Sequence, residues 1–271
     1  MIYRTTRVFL LFVFVVLILI PCSIVFLGTF KTDVKILSDP LALPDSWSLE
    51  NFVRLFESDR ILTPTRNSLI VSCFSVGLTL LLASMASFAI ARSITVSGKV
   101  LFLLFSIGLA IPGQVNVIPI YLMFVKLNLT NSLFGLVLVN IALTLPISIF
   151  ILTSFIKDLP SEMFEAASID GAKSFRTFWS IALPLSRPAI GATAIFLFVI
   201  TWNDLLYPLM LIGENSKKTL PLMMLDFKGE FTTEYSMIYT SIVIASLPMI
   251  LMYVIFQRSF ISGLTQGAVK G

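Results

Sequence analysis

The 271-residue chain contains no histidine and only two cysteines. The first absence removes histidine triads, histidine-ligated zinc and haem sites that use a histidine ligand. Cys22 and Cys73 both fall inside long apolar runs, so they imply neither a disulfide framework nor a metal cluster. Charge is scarce as well, at 13% of residues. No G-x-x-x-x-G-K-[ST] phosphate cradle is present, so this chain is not itself an evident ATPase. With no cysteine cluster and no convergent acidic pair, most membrane-enzyme sites are disfavoured too. The net charge of +4 and a pI near 9.1 suit a protein facing anionic lipid, and no aromatic-and-basic stripe points to nucleic acid.

What the chain has in excess is apolar length. Hydrophobic residues make up 57% of it, with a mean hydropathy of +0.96. Six runs are long enough to span: Val8–Phe30, Ser68–Ala91, Val100–Val125, Leu133–Ile156, Ala189–Ile212 and Met237–Phe256. A hydrocarbon core of roughly 30 Å needs about 20 helical residues at about 1.5 Å each. Barrel strands are only about 10 residues long and alternate in polarity, which these runs do not. The expected fold is all-α and polytopic, a single transmembrane domain over 1–271 with six helices and its core at 68–256. Arg4 and Arg7 ahead of the first run suggest a signal peptide, but the run exceeds the usual ~7–15 apolar residues and lacks an A-x-A-like end. Pro21 also occupies the place that a small residue fills before a lipoprotein cysteine. The first run is therefore expected to be a retained helix.

Six spans put both termini on one side. With the N-terminus inside, ten of the nineteen basic residues lie inside. Arg4, Arg7, Arg92 and Lys99 near span ends favour that orientation, whereas Lys31, Lys35 and Arg66 oppose it. Prolines interrupt the spans at Pro112, Pro119, Pro146, Pro208 and Pro248. Each removes a helix hydrogen bond, and the freed carbonyls need protein or a polar cavity. These breaks fit ordinary membrane-helix irregularity, and they also fit a pathway that opens around broken helices. The connection 31–67 holds a turn-prone stretch and an amphipathic LENFVRLFE, and 213–236 is polar and glycine-punctuated around an apolar Leu222–Phe227.

The connection 157–188 is different in kind. Pro160 and Glu162 suit a first helical turn, where a missing amide hydrogen costs little and an acid meets the positive end of the peptide dipoles. Phe164, Ala167, Ser168, Gly171, Phe175 and Phe178 then recur at spacings of three and four, forming one small or apolar face. Gly171 is expected to stop the first helix. Two readings fit this pattern: an interfacial helix lying on the membrane, or a glycine-hinged knob that serves as a handle for a cytoplasmic partner.

The stretch EAASIDGAKSFRTFWSIALPLSRPAI resembles the EAA loop of bacterial ABC-importer permeases, through Glu165, Ala166, Ala167, Gly171, Ile181, Leu183 and Pro184. TWNDLLYPLMLI at Thr201–Ile212 and the tail IASLPMILMYVIFQRSFISGLTQGAVKG are similar to the sugar-importer permeases of the maltose type, the tail to their second permease subunit. The similarity in spacing extends over nearly the whole chain. It implies the MetI-like fold of type I ABC importers, a bacterial inner-membrane location and both termini in the cytoplasm. It implies as partners a second homologous permease, two ATPases that use ATP and Mg, and an extracytoplasmic sugar-binding protein, with no cofactor bound by this chain. Under the resemblance, Glu165, Ala166, Ala167, Asp170 and Gly171 form the coupling contact with an ATPase. Tail residues Gln257, Gly263, Gln266 and Gly267, within 257–271, reach the ATPase pair.

Polar residues inside spans are expensive unless they face protein or water. Gln114, Asn116, Asn140, Thr144, Trp202 and Asn203 are the candidates for lining a pathway, with Thr201, Asp204 and Tyr207 nearby. Amides and hydroxyls pair with sugar hydroxyls, and an indole or phenol offers a flat apolar face. For any one of them, hydrogen bonding between helices is a more common role than contact with a ligand. Serines at Ser72, Ser75, Ser84 and Ser87, with Gly77, read as close-packing positions. A different class of function, an ion-coupled secondary transporter, would need no ATPase and would nominate Asp204 as its ion site.

Overall fold

The computed structural model describes residues 2–57, 60–229 and 232–268, and among these the one strand-like pairing is an isolated bridge between Lys228 and Thr233. The helices run α1 (Ile2–Gly28), α2 (Asp33–Ser38), α3 (Glu50–Glu57), α4 (Leu62–Arg92), α5 (Val96–Leu109), α6 (Val117–Lys126) and α7 (Leu133–Lys157). They continue as α8 (Ser161–Ile169), α9 (Ser174–Thr177), α10 (Leu183–Leu185), α11 (Arg187–Trp202), α12 (Leu206–Leu211), α13 (Leu220–Met224) and α14 (Tyr235–Ala268). Among the described residues, α1, α4, α7 and α14 are each long and apolar enough to cross a bilayer. Two bent pairs bring the total up to six when each is counted as one span: α5 with Gly113–Lys126 at 87°, and Ser174–Leu185 with α11 at 73°.

Two apolar runs are thus less continuous than their composition implies. The run 100–125 turns a corner at Ala110–Pro112, because Pro112 is extended (φ −60°, ψ 130°) and disfavours a helical Ile111 before it. The run 189–212 ends as a helix at Trp202 and restarts at Leu206. At the other end of α11, Pro188 has no amide hydrogen to continue the helix from α10, and the chain bends at Ser186.

The chain divides into two units. One comprises Met1–Arg66 with Lys218–Pro248. Here the most apolar stretch of α1 is wholly unburied, with twelve large apolar side chains between Val8 and Ile20 exposed. Leaving such groups in water costs about 1.5–3 kcal/mol each, tens of kcal/mol in all, so this surface belongs in lipid. Past α1, Lys31 is buried and its Nζ donates to the carbonyls of Asp39 (3.2 Å) and Pro40 (3.0 Å) just after α2. Asn51 of α3 donates to Thr29 O and Lys31 O, and Phe30 packs against Trp47 and Phe52. Asp33 accepts the Ser236 amide at 2.7 Å, which satisfies a free N–H in the first turn of α14. The stretch around Leu222 folds inward as α13, burying Leu220, Leu222, Met223 and Phe227.

The other unit comprises Asn67–Lys217 with Met249–Gly271. Its core joins α4, α7 and α11 through Ala83, Ile90, Ile149, Leu152 and Ala189. Small hydroxyl residues line the α4 side of that contact. Ser87 donates to Ile149 O at 3.2 Å, and Thr79 and Thr144 hydroxyls meet at 3.2 Å. Both are interhelical bonds of the kind that hold apolar helices together where no hydrophobic force acts between them. At the far end of α7, Gly135 sits against the Leu129 carbonyl, and Asn131 at φ 52° accepts the Gly213 and Glu214 amides on its side chain.

Candidate functional site

Two places in the second unit carry the features that the sequence singles out. The first is the connection after α7. Helix α8 buries Phe164 and Ala167, and Phe164 packs with Phe88, Ile156, Phe178 and Ala182. The Phe164 ring lies 6.3 Å from that of Phe88 and under the Arg92 guanidinium, 4.1 Å from its centroid. Thus α8 is riveted to the end of α4 and to α7. Ser168, Gly171 and Phe175 lie outside the buried face, although their spacing places them on it. The chain turns at Gly171, and a face defined by one continuous helical period does not survive the turn.

That turn is fully specified. Gly171 has φ +72°, its amide donates to Ser168 O at 3.0 Å, and the Ala172 amide donates to Ala167 O at 2.9 Å. These two bonds across a left-handed residue are the Schellman helix stop, which glycine accommodates without strain. Glu165, Ala166, Asp170 and Gly171 are exposed, while Ala167 faces inward. Ile169 beside them is 86% exposed, a free apolar knob at the tip. Beyond Lys173 the chain forms α9 and then a wider, π-type turn at Phe178–Ala182.

The second place is a cavity of about 510 Å³ beside the 87° corner. Gln114 and Asn116 reach it from the turn Gly113–Asn116, Asn140 and Thr144 from α7, Asp204 from the break between α11 and α12, and Tyr207 from the first turn of α12. The Tyr207 hydroxyl donates to Gly113 O at 2.9 Å and ties the corner to α12. Pro146 lacks the amide hydrogen that would close on Ala142 O, and Ala142 lines the same cavity. Thr144 is committed within the protein, donating to Asn140 O at 2.7 Å, and Asn140 donates to Leu136 O at 2.9 Å. Asp204 accepts the Tyr207 amide on Oδ1 at 3.4 Å, while its Oδ2 is shielded from solvent and has no hydrogen-bond partner. Among the lining residues it carries the one formal charge.

Four of the six predicted pathway residues, Gln114, Asn116, Asn140 and Thr144, therefore meet at one cavity. Trp202 and Asn203 do not line it. Trp202 is buried and stacked on Phe198 at 5.5 Å, and Asn203 folds back onto Val199 O at 2.8 Å. In their place the break presents Asp204, and the first turn of α12 presents Tyr207. A signal for this existed: an Asn-Asp pair four residues before Pro208 reads as a helix start and not as mid-span sequence. In the tail, α14 continues past Gln257, which is exposed, to Ala268. The surroundings of Gly263, Gln266 and Gly267 lie outside the described residues.

Comparison with known proteins places these features in company. Residues 76–265 match the family described as binding-protein-dependent transport system inner membrane component. The chain is 36% identical over 253 residues to the protein called ABC transporter permease protein ORF2 in Caldicellulosiruptor sp. (strain Rt8B.4), covering 93% of this chain and 92% of that one. It is 32% identical over 263 residues to the diacetylchitobiose uptake system permease protein NgcG of Streptomyces coelicolor, covering 96% and 87%. It is also 32% identical over 260 residues to the trehalose/maltose transport system permease protein MalG of Thermococcus litoralis, covering 94% and 93%. In three dimensions it is similar to a chain of a bacterial ABC transporter involved in the import of the acidic polysaccharide alginate, with a TM-score of 0.81, 18% identity and 96% of each chain covered.

Proposed function

The chain belongs to the family of binding-protein-dependent transport system inner membrane components, and from that premise we propose how its parts divide the work of an ATP-driven sugar importer. The protein is a non-catalytic permease subunit of a binding-protein-dependent carbohydrate ABC importer. Family membership implies a second permease, separate ATPase subunits that use ATP and Mg, and an extracytoplasmic binding protein. The finer assignment is the second permease subunit of a maltose-type system, with both termini in the cytoplasm.

The observation that carries the mechanical reading is the mounting of α8. Its exposed side, Glu165, Ala166, Asp170 and Gly171 with Ile169 at the tip, is free to enter a groove on an ATPase. Its buried side holds Phe164 and Ala167, and Phe164 locks it to α4 and α7. Ala167 acts by letting α8 sit close to its base, and Gly171 by ending α8 abruptly. A displacement of α8 reaches Ile156 on α7, and the cavity residue Thr144 lies twelve residues along the same helix, about 18 Å at 1.5 Å per residue. Packed helices with two arrangements transmit such a shift without deforming continuously. Gln114, Asn116, Asn140 and Thr144 line the pathway that opens and closes, and the tail from Gln257, with Gly263, Gln266 and Gly267, meets the ATPase pair.

The test is reconstitution of this chain with its partner permease, ATPases and binding protein in proteoliposomes. Saccharide uptake that requires both ATP and binding protein is expected. Uptake that proceeds without the ATPase, driven by an ion gradient, would overturn the assignment.

A further inference from the structure

At the end of α4 lies a groove of about 480 Å³ that the proposed pathway does not use. Met85, Phe88, Ala89 and Arg92 form one wall, at the i, i+3, i+4, i+7 spacing of a single helix face. Phe175 of α9 and Phe178 of the wider turn after it form the other. Phe88 and Phe178 are buried, whereas Met85, Ala89 and Phe175 stay exposed. The α4 wall is apolar at Met85 and cationic at Arg92, one and a half to two turns or about 10 Å further along the helix. Arg92 carries the one formal charge among the lining residues, and Ser93 and Ser174 add hydroxyls. The guanidinium of Arg92 lies over the Phe164 ring, and among the described residues no carboxylate forms an ion pair with it.

The level of the groove narrows what fills it. Helix α4 is long and apolar enough to span and ends at Arg92, so its last two turns stand where the acyl chains of one leaflet give way to headgroups. Trp179, 42% exposed and set against Phe175 (6.1 Å) and Phe178 (5.2 Å), suits the same boundary, where indoles are favoured. The occupant that matches is apolar at one end and anionic at the other. We propose that this groove holds one anionic phospholipid, with its phosphate on Arg92 and an acyl chain against Met85, Phe88 and Phe178. The volume falls within the roughly 300–1,000 Å³ of small-molecule sites. A guanidinium meets phosphate oxygens through charge-assisted hydrogen bonds, and its planar fork suits them. A zwitterionic lipid brings its own cation to the phosphate and gains less from Arg92. The bound lipid touches both the end of α4 and the segment that leaves the proposed coupling loop, so it braces that segment against the span.

The test uses the complete importer with its partner subunits, reconstituted in vesicles of equal parts phosphatidylglycerol and phosphatidylcholine. The probes are phosphatidylglycerol and phosphatidylcholine, each carrying a photoreactive diazirine on an acyl chain near the glycerol, and the labelled peptides are mapped by mass spectrometry. Labelling of residues 85–93 and 174–178 by the phosphatidylglycerol probe is expected to exceed that by the phosphatidylcholine probe about 5-fold, the factor for one basic residue at a lipid surface. Arg92→Gln should remove this preference, while Arg176→Gln, an equal change of charge on α9 outside the lining, should keep it. Ala89→Trp, which fills the groove and leaves Arg92 in place, should abolish labelling by both probes. Equal labelling of the wild type by the two probes overturns the proposal. So does the absence of labelling, as when a partner subunit fills the groove, and so does labelling unchanged by Ala89→Trp. Equal loss of the preference in Arg176→Gln would assign it to general surface charge and overturn it as well. Displacement of the probe by glycerol phosphate as effective as by unlabelled phosphatidylglycerol would reduce the site to a phosphate contact, with the same consequence. The wild-type comparison needs no variant, so it decides even if a variant fails to assemble. No uptake is measured, so the outcome does not depend on the saccharide reading.

Discussion

Replacement of Gly171 separates backbone strain from surface fit at the proposed coupling loop. The residue stands at φ +72°, where an L side chain costs about 1–2 kcal/mol. Nothing lies within 4 Å of the position that a Cβ would occupy, so bulk adds no clash inside this subunit. Leaving the left-handed region instead breaks the Gly171–Ser168 and Ala172–Ala167 bonds, each worth about 1 kcal/mol. Strain and lost bonds are of the same size. Gly171→Ala is therefore expected to lower the population of the intact stop about 5- to 30-fold, the factor for 1–2 kcal/mol. Hydrogen exchange of the Ala172 amide in the assembled importer reads this directly. Gly171→Trp should accelerate exchange as much as Gly171→Ala, and Gly171→Asn less, because asparagine tolerates the left-handed region. Uptake per ATP should follow a different order: the indole projects from an exposed position at the proposed docking face and should uncouple far more than alanine does. An Ala172 amide protected equally in wild type and Gly171→Ala would refute the backbone argument. Equal uptake per ATP in the alanine and tryptophan variants would refute the docking argument.

Three further substitutions probe how the loop and its scaffold are held. Phe164→Ala removes the ring between Phe88 and the Arg92 guanidinium; a buried aromatic truncation costs about 3–5 kcal/mol, and α8 should lose protease protection while the transmembrane helices stay folded. Equal protease resistance in wild type and variant would show that α8 is held by something else. Gly135→Ala drives a Cβ onto the Leu129 backbone carbonyl and should destabilise by about 1–3 kcal/mol, whereas Gly77→Ala, with open space around it, should be neutral or slightly stabilising in thermal scans of the purified subunit.

Much of the candidate site is visible in the linear sequence because its signals are local. A proline, an acid in the first turn, small residues and a glycine outline α8 and its end before any contact is known. The inward role of Ala167 is visible in its place on the small face, whereas the outward one of Phe175 is not, since the turn at Gly171 resets the helical phase. The pathway residues divide the same way. Gln114 and Asn116 stand out beside Pro112-Gly113, which advertises a break. Trp202 and Asn203 stand out equally, yet the helix ends between them and turns both away from the cavity that Asp204 and Tyr207 enter.

Apolar run lengths by themselves determined that this chain is all-helical and membrane-embedded, because a bilayer accepts only segments that satisfy their own backbone. The motif at 165–184 by itself determined where the short helix α8 stops, since helix-stop chemistry is written in neighbouring residues. Only tertiary structure decided that two of the six apolar runs are broken and where the breaks point. A proline permits a bend without specifying its angle; packing of α5 against α7 and the Tyr207–Gly113 bond select it. Only tertiary structure, too, brought residues 114, 140 and 204 to one cavity, a fact about three separate segments of the chain that none of them contains alone.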